Sequence, residues 1–135
     1  MGRLRTAAQL TLGSFLLVAG TGHLTFARQE FQAQVPNWVP LDKDTTVLLS
    51  GVVELSFATA LLTTWKQPRR AAVGAATAAL FIAVFPGNLA QLTNHRDAFG
   101  LDTDTKRAVR LLFQPALIAW ALYATDARRT LRRES

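Results

Sequence analysis

Residues 45–65 read TTVLLSGVVELSFATALLTTW, a stretch of 21 residues with a single charge, Glu54. A helix needs roughly 20 mostly apolar residues to cross the hydrocarbon core of a bilayer. A charge in the middle of such a helix costs about 2.5–3.5 kcal/mol on insertion scales. The stretch therefore predicts a membrane-spanning helix, and its one carboxylate marks a candidate functional residue.

Three further apolar stretches flank this one. Residues 6–27 and 71–94 carry no charge, and the shorter stretch 111–125 extends to residue 108 if Arg110 snorkels to the interface. The chain has 135 residues, half of them hydrophobic, which fits one domain. We expect a single domain over residues 1–135. Its fold class is all-α, a four-helix transmembrane bundle with helices at about residues 7–27, 45–65, 71–94 and 108–125.

The basic residues between these stretches predict the orientation of the helices. One set of flanks carries nine Lys and Arg residues, namely Arg3, Arg5, Lys66, Arg69, Arg70, Arg128, Arg129, Arg132 and Arg133. The other set carries six, namely Arg28, Lys43, Arg96, Lys106, Arg107 and Arg110. The positive-inside rule then predicts that both termini are cytoplasmic. A cleaved signal peptide is the alternative for the first stretch, although a start-anchor helix explains the same residues.

The connecting segments carry weaker signals. The segment 28–44 contains VPNWVP at residues 35–40 and is read either as an interfacial segment with Trp38 at headgroup depth or as an ordinary Pro-rich loop. Pro86 favours a kink in the third helix. The connection 95–106 is polar, and the basic tail 126–135 is expected to be solvated or to lie on anionic headgroups.

Four polar side chains fall in four different apolar stretches at a matching depth. They are His23, Glu54, Asn88 and Gln114, all in the predicted outer half of the bilayer. Bundles build ligand sites from such inward-facing side chains. We therefore expect one shared polar pocket. Gln91, three residues from Asn88, would extend the same face, and Arg110 completes the candidate ligand-binding set.

The roles of these residues stay open. Glu54 is read either as a proton-exchanging or headgroup-binding group or as half of a structural pair with Arg110 or His23. His23 is equally open between function and structure, and Asn88 and Gln114 are most simply interhelical hydrogen-bonding groups. A hairpin repeat would match His23 with Asn88 and Glu54 with Gln114, and chance competes with it.

Several classes of function find no support. The chain has no cysteine, so thiol chemistry and cysteine metal sites are excluded. No P-loop, GxGxxG, HExxH or triad pattern is present. We therefore expect no metal and no catalytic residue, and an acid–base role for the pair Glu54 and His23 is the weakest hypothesis. The net charge of +6 is explained by membrane topology rather than by nucleic acid.

The chain resembles the DoxX-like family of small four-helix membrane proteins. The resemblance covers most of the chain and rests on ordered motifs, namely Gly22-His23, Phe31, Val35-Pro36, Trp38-Val39-Pro40, Ser50-Gly51 with Glu54, Arg69-Arg70 and Val84-Phe85-Pro86-Gly87-Asn88. Gly87 stands where that family is expected to have Ala. The resemblance implies a multi-pass protein of the plasma (bacterial inner) membrane, with relatives linked to quinone reduction, to redox partners at the membrane and to membrane chaperones.

Two hypotheses of function follow. The first is a small redox-associated membrane subunit that binds a quinone- or lipid-like molecule, with quinone as the candidate cofactor and the lipid bilayer and a membrane or redox protein as partners. The second is a structural or assembly partner without a ligand of its own, with the small residues of the third helix as its docking surface. A homo-oligomer is compatible with either hypothesis.

Overall fold

The protein is entirely helical wherever its structure is described. The computed structural model describes residues 2–94, 96 and 103–134, and no strand occurs among them. The prediction of an all-α protein is confirmed. The helices are α1 Arg3–Leu24, α2 Arg28–Phe31, a short 3-10 helix Gln32–Gln34, α3 Lys43–Thr63, α4 Arg69–Ala83, α5 Phe85–Thr93, α6 Asp104–Ala124 and α7 Ala127–Glu134.

The long helices form two antiparallel pairs around one core. α1 packs along α3, α6 packs along α4 and α5, and contacts between α1 and α6 join the pairs. α3 and α4, although consecutive, pack little against each other. The core consists of Leu12, Leu16, Ala58, Leu61, Ala78, Phe81 and Ala121. We call the end of the bundle that holds Gln9 and Arg70 the terminal end, and the end that holds His23 and Glu54 the loop end.

The helices meet the requirements for spanning a membrane to different degrees. α3 and the run Arg69–Thr93, which joins α4 and α5, are each long and apolar enough to cross a bilayer. Two further candidates pass only as bent pairs: α1 with Arg28–Gln34, bent by 93°, and α6 with Ala127–Arg133, bent by 56°. The described residues therefore provide two candidate spans, or four if each bent pair is one span.

Helix ends differ from the predicted ones because capping, rather than hydropathy, decides where a helix begins. α6 starts at Asp104, four residues before the predicted 108, since the Thr103 side chain accepts a hydrogen bond from the Lys106 backbone N–H at 3.2 Å. α3 starts at Lys43, where Asp42 accepts from the Thr45 N–H at 2.6 Å. That hydrogen bond holds the pKa of Asp42 below its usual value.

The predicted third helix is divided into α4 and α5 at Val84. Pro86 lies in the first turn of α5. Its nitrogen has no proton to donate to the Ile82 carbonyl four residues earlier, so the regular hydrogen-bonding pattern stops there. The disturbance predicted at Pro86 is thus present, as a break in the helix. Of the predicted polar connection 95–106, residues 95 and 97–102 lie outside the described residues.

The tail is anchored at its base. The tail forms α7, which packs on α4, while Arg128, Arg129, Arg132 and Arg133 remain exposed. Whether it lies in water or on headgroups stays a prediction. Thr125 is fully buried against Gly74, where an added Cβ would lie 1.7 Å from the Thr125 hydroxyl oxygen. Only a glycine at position 74 allows this approach.

Two buried polar side chains tie the helices together at the terminal end. Gln9 Nε2 donates to the carbonyls of Leu61 and Thr64 at 2.6 and 2.9 Å; Leu61 lies in the last turn of α3 and Thr64 is its C-cap residue. Arg70 Nε donates to Gln9 Oε1 at 2.6 Å, and its NH2 donates to the Ala124 carbonyl at 3.0 Å. The C-terminal carbonyls of α3 and α6, which lack helical partners, are thereby satisfied.

Candidate functional site

A cavity of about 660 Å³ opens at the loop end. It lies within the range of about 300–1,000 Å³ typical of small-molecule sites. Its walls come from α1, α3, α4, α5, α6 and the segment 31–41, and they are mainly apolar. Five of the six predicted site residues line it, namely His23, Glu54, Asn88, Arg110 and Gln114.

His23 and Glu54 meet because α1 and α3 cross closely. At the crossing, a Cβ on Gly51 would lie 2.7 Å from the His23 Cβ, so the two helices can approach only with glycine there. His23 Nδ1 lies 2.8 Å from the Ala19 carbonyl and 3.2 Å from Glu54 Oε2. The His23 ring also stacks on Phe31, with centroids 3.5 Å apart. The imidazole is therefore held on both sides.

The contact between His23 and Glu54 is a close approach of the two side chains and not a hydrogen bond. Nδ1 must carry a proton to donate to the Ala19 carbonyl, which can only accept. Glu54 Oε2 is buried and accepts no hydrogen bond from any described residue, in spite of the 3.2 Å distance. Of the two structural pairs considered from sequence, the Glu54–His23 pair is present, and no ion pair between Glu54 and Arg110 occurs among the described residues.

The other three lining residues form a chain of polar contacts. Asn88 Nδ2 donates to Gln114 Oε1 at 3.5 Å, and Arg110 NH1 donates to the same oxygen at 3.3 Å. Gln114 Nε2 donates to the carbonyl of Phe81, which lies just before the break between α4 and α5. The Gln114 amide thus binds backbone near the disturbed turn. Asn88 Oδ1 is buried without a partner among the described residues.

Gln91 does not line the cavity. Its Oε1 accepts from Gln34 Nε2 at 3.2 Å, and its Nε2 donates to the Arg96 carbonyl at 3.3 Å. The structure therefore places Gln91 between the segment 31–41 and the residues after α5. Its role in ligand binding stays a prediction, whereas its contacts make it an anchor for that segment.

The segment 28–42 covers the cavity and is fastened at several points. Arg28 pairs with Asp44, and Arg96 NH1 donates to the carbonyls of Ala33 and Val35 at 3.1 and 2.6 Å. A Cβ added to Gly87 would lie 2.4 Å from the carbonyl oxygen of Gln34. The glycine that departs from the expected Ala therefore has a steric reason in this protein.

The cavity reaches the molecular surface at several exposed lining residues, which include residues of α3 and α4. Leu49 and Val53 of α3 and Ala83 of α4 line it and are exposed. A second cavity of about 340 Å³, lined by Phe15, Arg110, Phe113, Ala116, Leu117 and Trp120, shares Phe15, Arg110 and Leu117 with the first. The Arg110 guanidinium thus belongs to both.

The polar groups of the cavity lining belong to several chemical types. Within the described ranges, no group of three or more His, Asp or Glu residues lies close enough to hold a metal ion. The polar lining offers one carboxylate, one imidazole, three amides, two hydroxyls and one guanidinium, which are groups able to form hydrogen bonds and ion pairs. Gln34 and Arg96, which hold the segment 28–42 in place, were not expected at the site from the sequence, because polar residues are ordinary in loops.

Fold and site together define an all-helical protein with a mostly apolar cavity and a small polar lining. The chain belongs to the family described as a domain of unknown function, DUF8561, whose model matches residues 12–125. The resemblance to the DoxX-like family is therefore wrong: that family gives no match, and the motifs that suggested it are short and individually common. The comparison with curated proteins found no match, and neither did the comparison with solved structures.

Proposed function

We propose that the protein is a multi-pass membrane protein of the plasma (bacterial inner) membrane. In this proposal α1, α3, the α4–α5 run and α6 form a four-helix transmembrane bundle with both termini in the cytoplasm. The support is the set of two to four candidate spans and the excess of Lys and Arg on the flanks at the terminal end. Arg69 and the four arginines of α7 are exposed at that end, where headgroups or water would solvate them.

We further propose that the cavity binds a lipophilic molecule with a polar head, of quinone or lipid type. One observation carries this proposal: Glu54 Oε2 and Asn88 Oδ1 are buried in the cavity wall without a hydrogen-bond donor from the described residues. A buried acceptor without a donor costs about 1–3 kcal/mol. A ligand that supplies a donor would recover that free energy, and the opening at the exposed lining residues of α3 and α4 would admit it from the bilayer.

The redox association expected from the sequence loses its support with the DoxX-like resemblance, because it rested on that family alone. What remains is a binding function. A quinol, or a lipid whose head group carries an O–H or N–H, has a donor for the two acceptors, whereas an oxidised quinone offers only carbonyl oxygens.

The test is identification of the ligand in protein purified under mild conditions. Native mass spectrometry and extraction should find a stoichiometric lipid- or quinone-like molecule on the wild type. Val53→Trp, which fills the opening, should remove it, whereas Val52→Trp, exposed on the same helix but outside the cavity lining, should keep it. A wild type without a bound molecule, or equal occupancy in both variants, would contradict the proposal.

A second candidate function is assembly with another membrane protein or with a second copy. The observation in its favour is a row of exposed small residues along α4, namely Ala72, Ala76, Ala79 and Ala83. Small faces permit close packing of helices in lipid. Ala75, another small residue of α4, is half-buried and does not belong to this row.

The double variant Ala76→Leu/Ala79→Leu tests this second function. It should lower the oligomer mass in nanodiscs or abolish co-purification of a defined partner, whereas Val52→Leu on the exposed face of α3 should not. An unchanged assembly state in the double variant would count against a docking role for α4.

A further inference from the structure

Arg110 is a half-buried cation with few partners. Its NH1 donates to Gln114 Oε1 at 3.3 Å, and no Asp or Glu of the described chain forms an ion pair with it. A guanidinium carries five N–H donors and keeps its charge in proteins. Because Arg110 lines both cavities, its unused donors are available to a ligand in either one. An anionic group with several oxygens, such as a phosphate, matches it best.

The cavity also holds a surplus of acceptors. Glu54 Oε2 comes from α3 and Asn88 Oδ1 from α5, and both are buried without a donor from the described residues. Gln114 and Arg110 lie on α6. The same cavity therefore contains a guanidinium without an anionic partner, on α6, and a carboxylate oxygen without a hydrogen-bond donor, on α3, in both cases within the part of the chain that the structure describes.

The charges of the cavity lining further restrict which head group fits. With a neutral His23, the charged lining groups are one guanidinium and one carboxylate. A zwitterion with one phosphate and one ammonium would pair with both and leave no charge uncompensated in apolar surroundings. An oxidised quinone would compensate neither group, and a quaternary ammonium has no N–H for Glu54 Oε2.

We propose that the ligand is a phospholipid whose head group is a phosphate ester of a primary amine, with the phosphate on Arg110 and the ammonium on Glu54 and Asn88. This inference rests on the proposed binding function and specifies its ligand class. The two cavities that share Arg110 provide separate apolar surfaces for two acyl chains, one along Leu49 and Val53 and the other along Phe113 and Ala116.

The test uses delipidated protein and lipids with identical acyl chains. Phosphatidylethanolamine, phosphatidylcholine, phosphatidylglycerol, diacylglycerol and a short-chain benzoquinone are compared by native mass spectrometry and by the shift in thermal unfolding. We expect phosphatidylethanolamine to bind at least about tenfold more tightly than the others, as expected for charge-assisted hydrogen bonds. Arg110→Gln should lower its affinity about tenfold and leave diacylglycerol binding unchanged.

The variants separate this inference from a general effect of charge. Glu54→Gln should bring phosphatidylethanolamine close to the affinity of phosphatidylcholine, Arg110→Lys should retain part of the phosphate binding, and Arg69→Gln, an exposed residue of the terminal end, should change nothing. Tighter binding of the quinone, or equal binding of all phospholipids, overturns the head-group inference while a bound ligand still supports the proposed function. Binding of none of the compounds overturns both.

Discussion

At the scale of single residues, the two ends of the bundle differ in whether their buried polar atoms have hydrogen-bond partners. At the terminal end, both oxygen and nitrogen of the Gln9 amide have partners. At the loop end, Glu54 Oε2 and Asn88 Oδ1 have none among the described residues. The first arrangement stabilises the fold, and the second is the observation on which the proposed ligand binding rests.

Gln9→Leu should destabilise the protein. The substitution keeps a similar side-chain volume but removes the partners of Arg70 Nε and of two carbonyls at the C-terminal end of α3. We expect a loss of about 1–3 kcal/mol in the free energy of unfolding for each buried group left unsatisfied. Reversible unfolding in mixed micelles measures it. Gln29→Leu, at an exposed position, is the control, and an equal effect of both changes would contradict the structural role of Gln9.

Asn88→Leu should lower ligand affinity without lowering the stability of the ligand-free protein. The ligand-free protein should be as stable as the wild type or more stable, because a buried unpartnered oxygen is removed and only a long 3.5 Å hydrogen bond to Gln114 is lost. Ligand affinity should fall by up to about 1.5 kcal/mol, the free energy of one hydrogen bond. Thermal unfolding with and without lipid measures both, and a large loss of stability without ligand would favour a purely structural Asn88.

Polar residues in apolar stretches could be recognised from the sequence, and the same signal would also have found Gln9. The sequence could not predict which of these polar side chains contact one another. His23 faces Glu54 because glycines let α1 and α3 cross there, and Arg110 contacts Gln114 one turn away instead of Glu54. Arg70, interpreted only as a topology signal, is buried. Such partners depend on helix rotation, which hydropathy does not encode.

At the scale of helices, composition predicted the number of long elements better than their limits. Hydropathy follows the apolar part of a helix, whereas α6 begins in the charged residues Asp104, Lys106 and Arg107. Arg107 is buried there and pairs with Asp104 at 2.7 Å. The contact between α1 and α3 is the element-scale feature that creates the site, since it brings His23 to Glu54.

Gly51→Ala should disturb that contact. The new Cβ would lie 2.7 Å from the His23 Cβ and 3.1 Å from the Gly20 carbonyl oxygen, so α1 and α3 must move apart. We expect destabilisation by about 1–3 kcal/mol, as for other overpacked cores, together with weaker ligand binding. Gly2→Ala, where nothing lies within 4 Å, is the matched control for unfolding measurements. Unchanged stability in Gly51→Ala would show that the helices are not in close contact there.

At the scale of the whole molecule, the fold consists of two hairpins, α1 with α3 and α4–α5 with α6. His23 contacts Glu54 within the first hairpin, and Asn88 contacts Gln114 within the second. The suggested repeat, which matches His23 with Asn88 and Glu54 with Gln114, stays a prediction. The first hairpin presents Glu54 and His23 to the cavity, whereas the second presents Arg110 and two amides.

The membrane topology can be tested directly because the chain has no cysteine. Gln29→Cys, in the segment between α1 and α3, should react with an impermeant maleimide added to intact spheroplasts. Lys66→Cys and Arg129→Cys, exposed at the terminal end, should react only after permeabilisation. The opposite labelling pattern would reverse the proposed orientation, and labelling of all three in intact spheroplasts would argue against a bilayer-spanning arrangement.

Entry of a ligand from the bilayer would change the concentration scale on which occupancy of the cavity depends. In the proposed membrane arrangement, a molecule that enters the cavity past Leu49, Val53 and Ala83 comes from the bilayer, so its effective concentration is its mole fraction among the lipids and not its amount per litre. Diluting vesicles with buffer should leave the site as full as before, whereas adding inert lipid should empty it. Dissociation constants for this protein would then be dimensionless quantities.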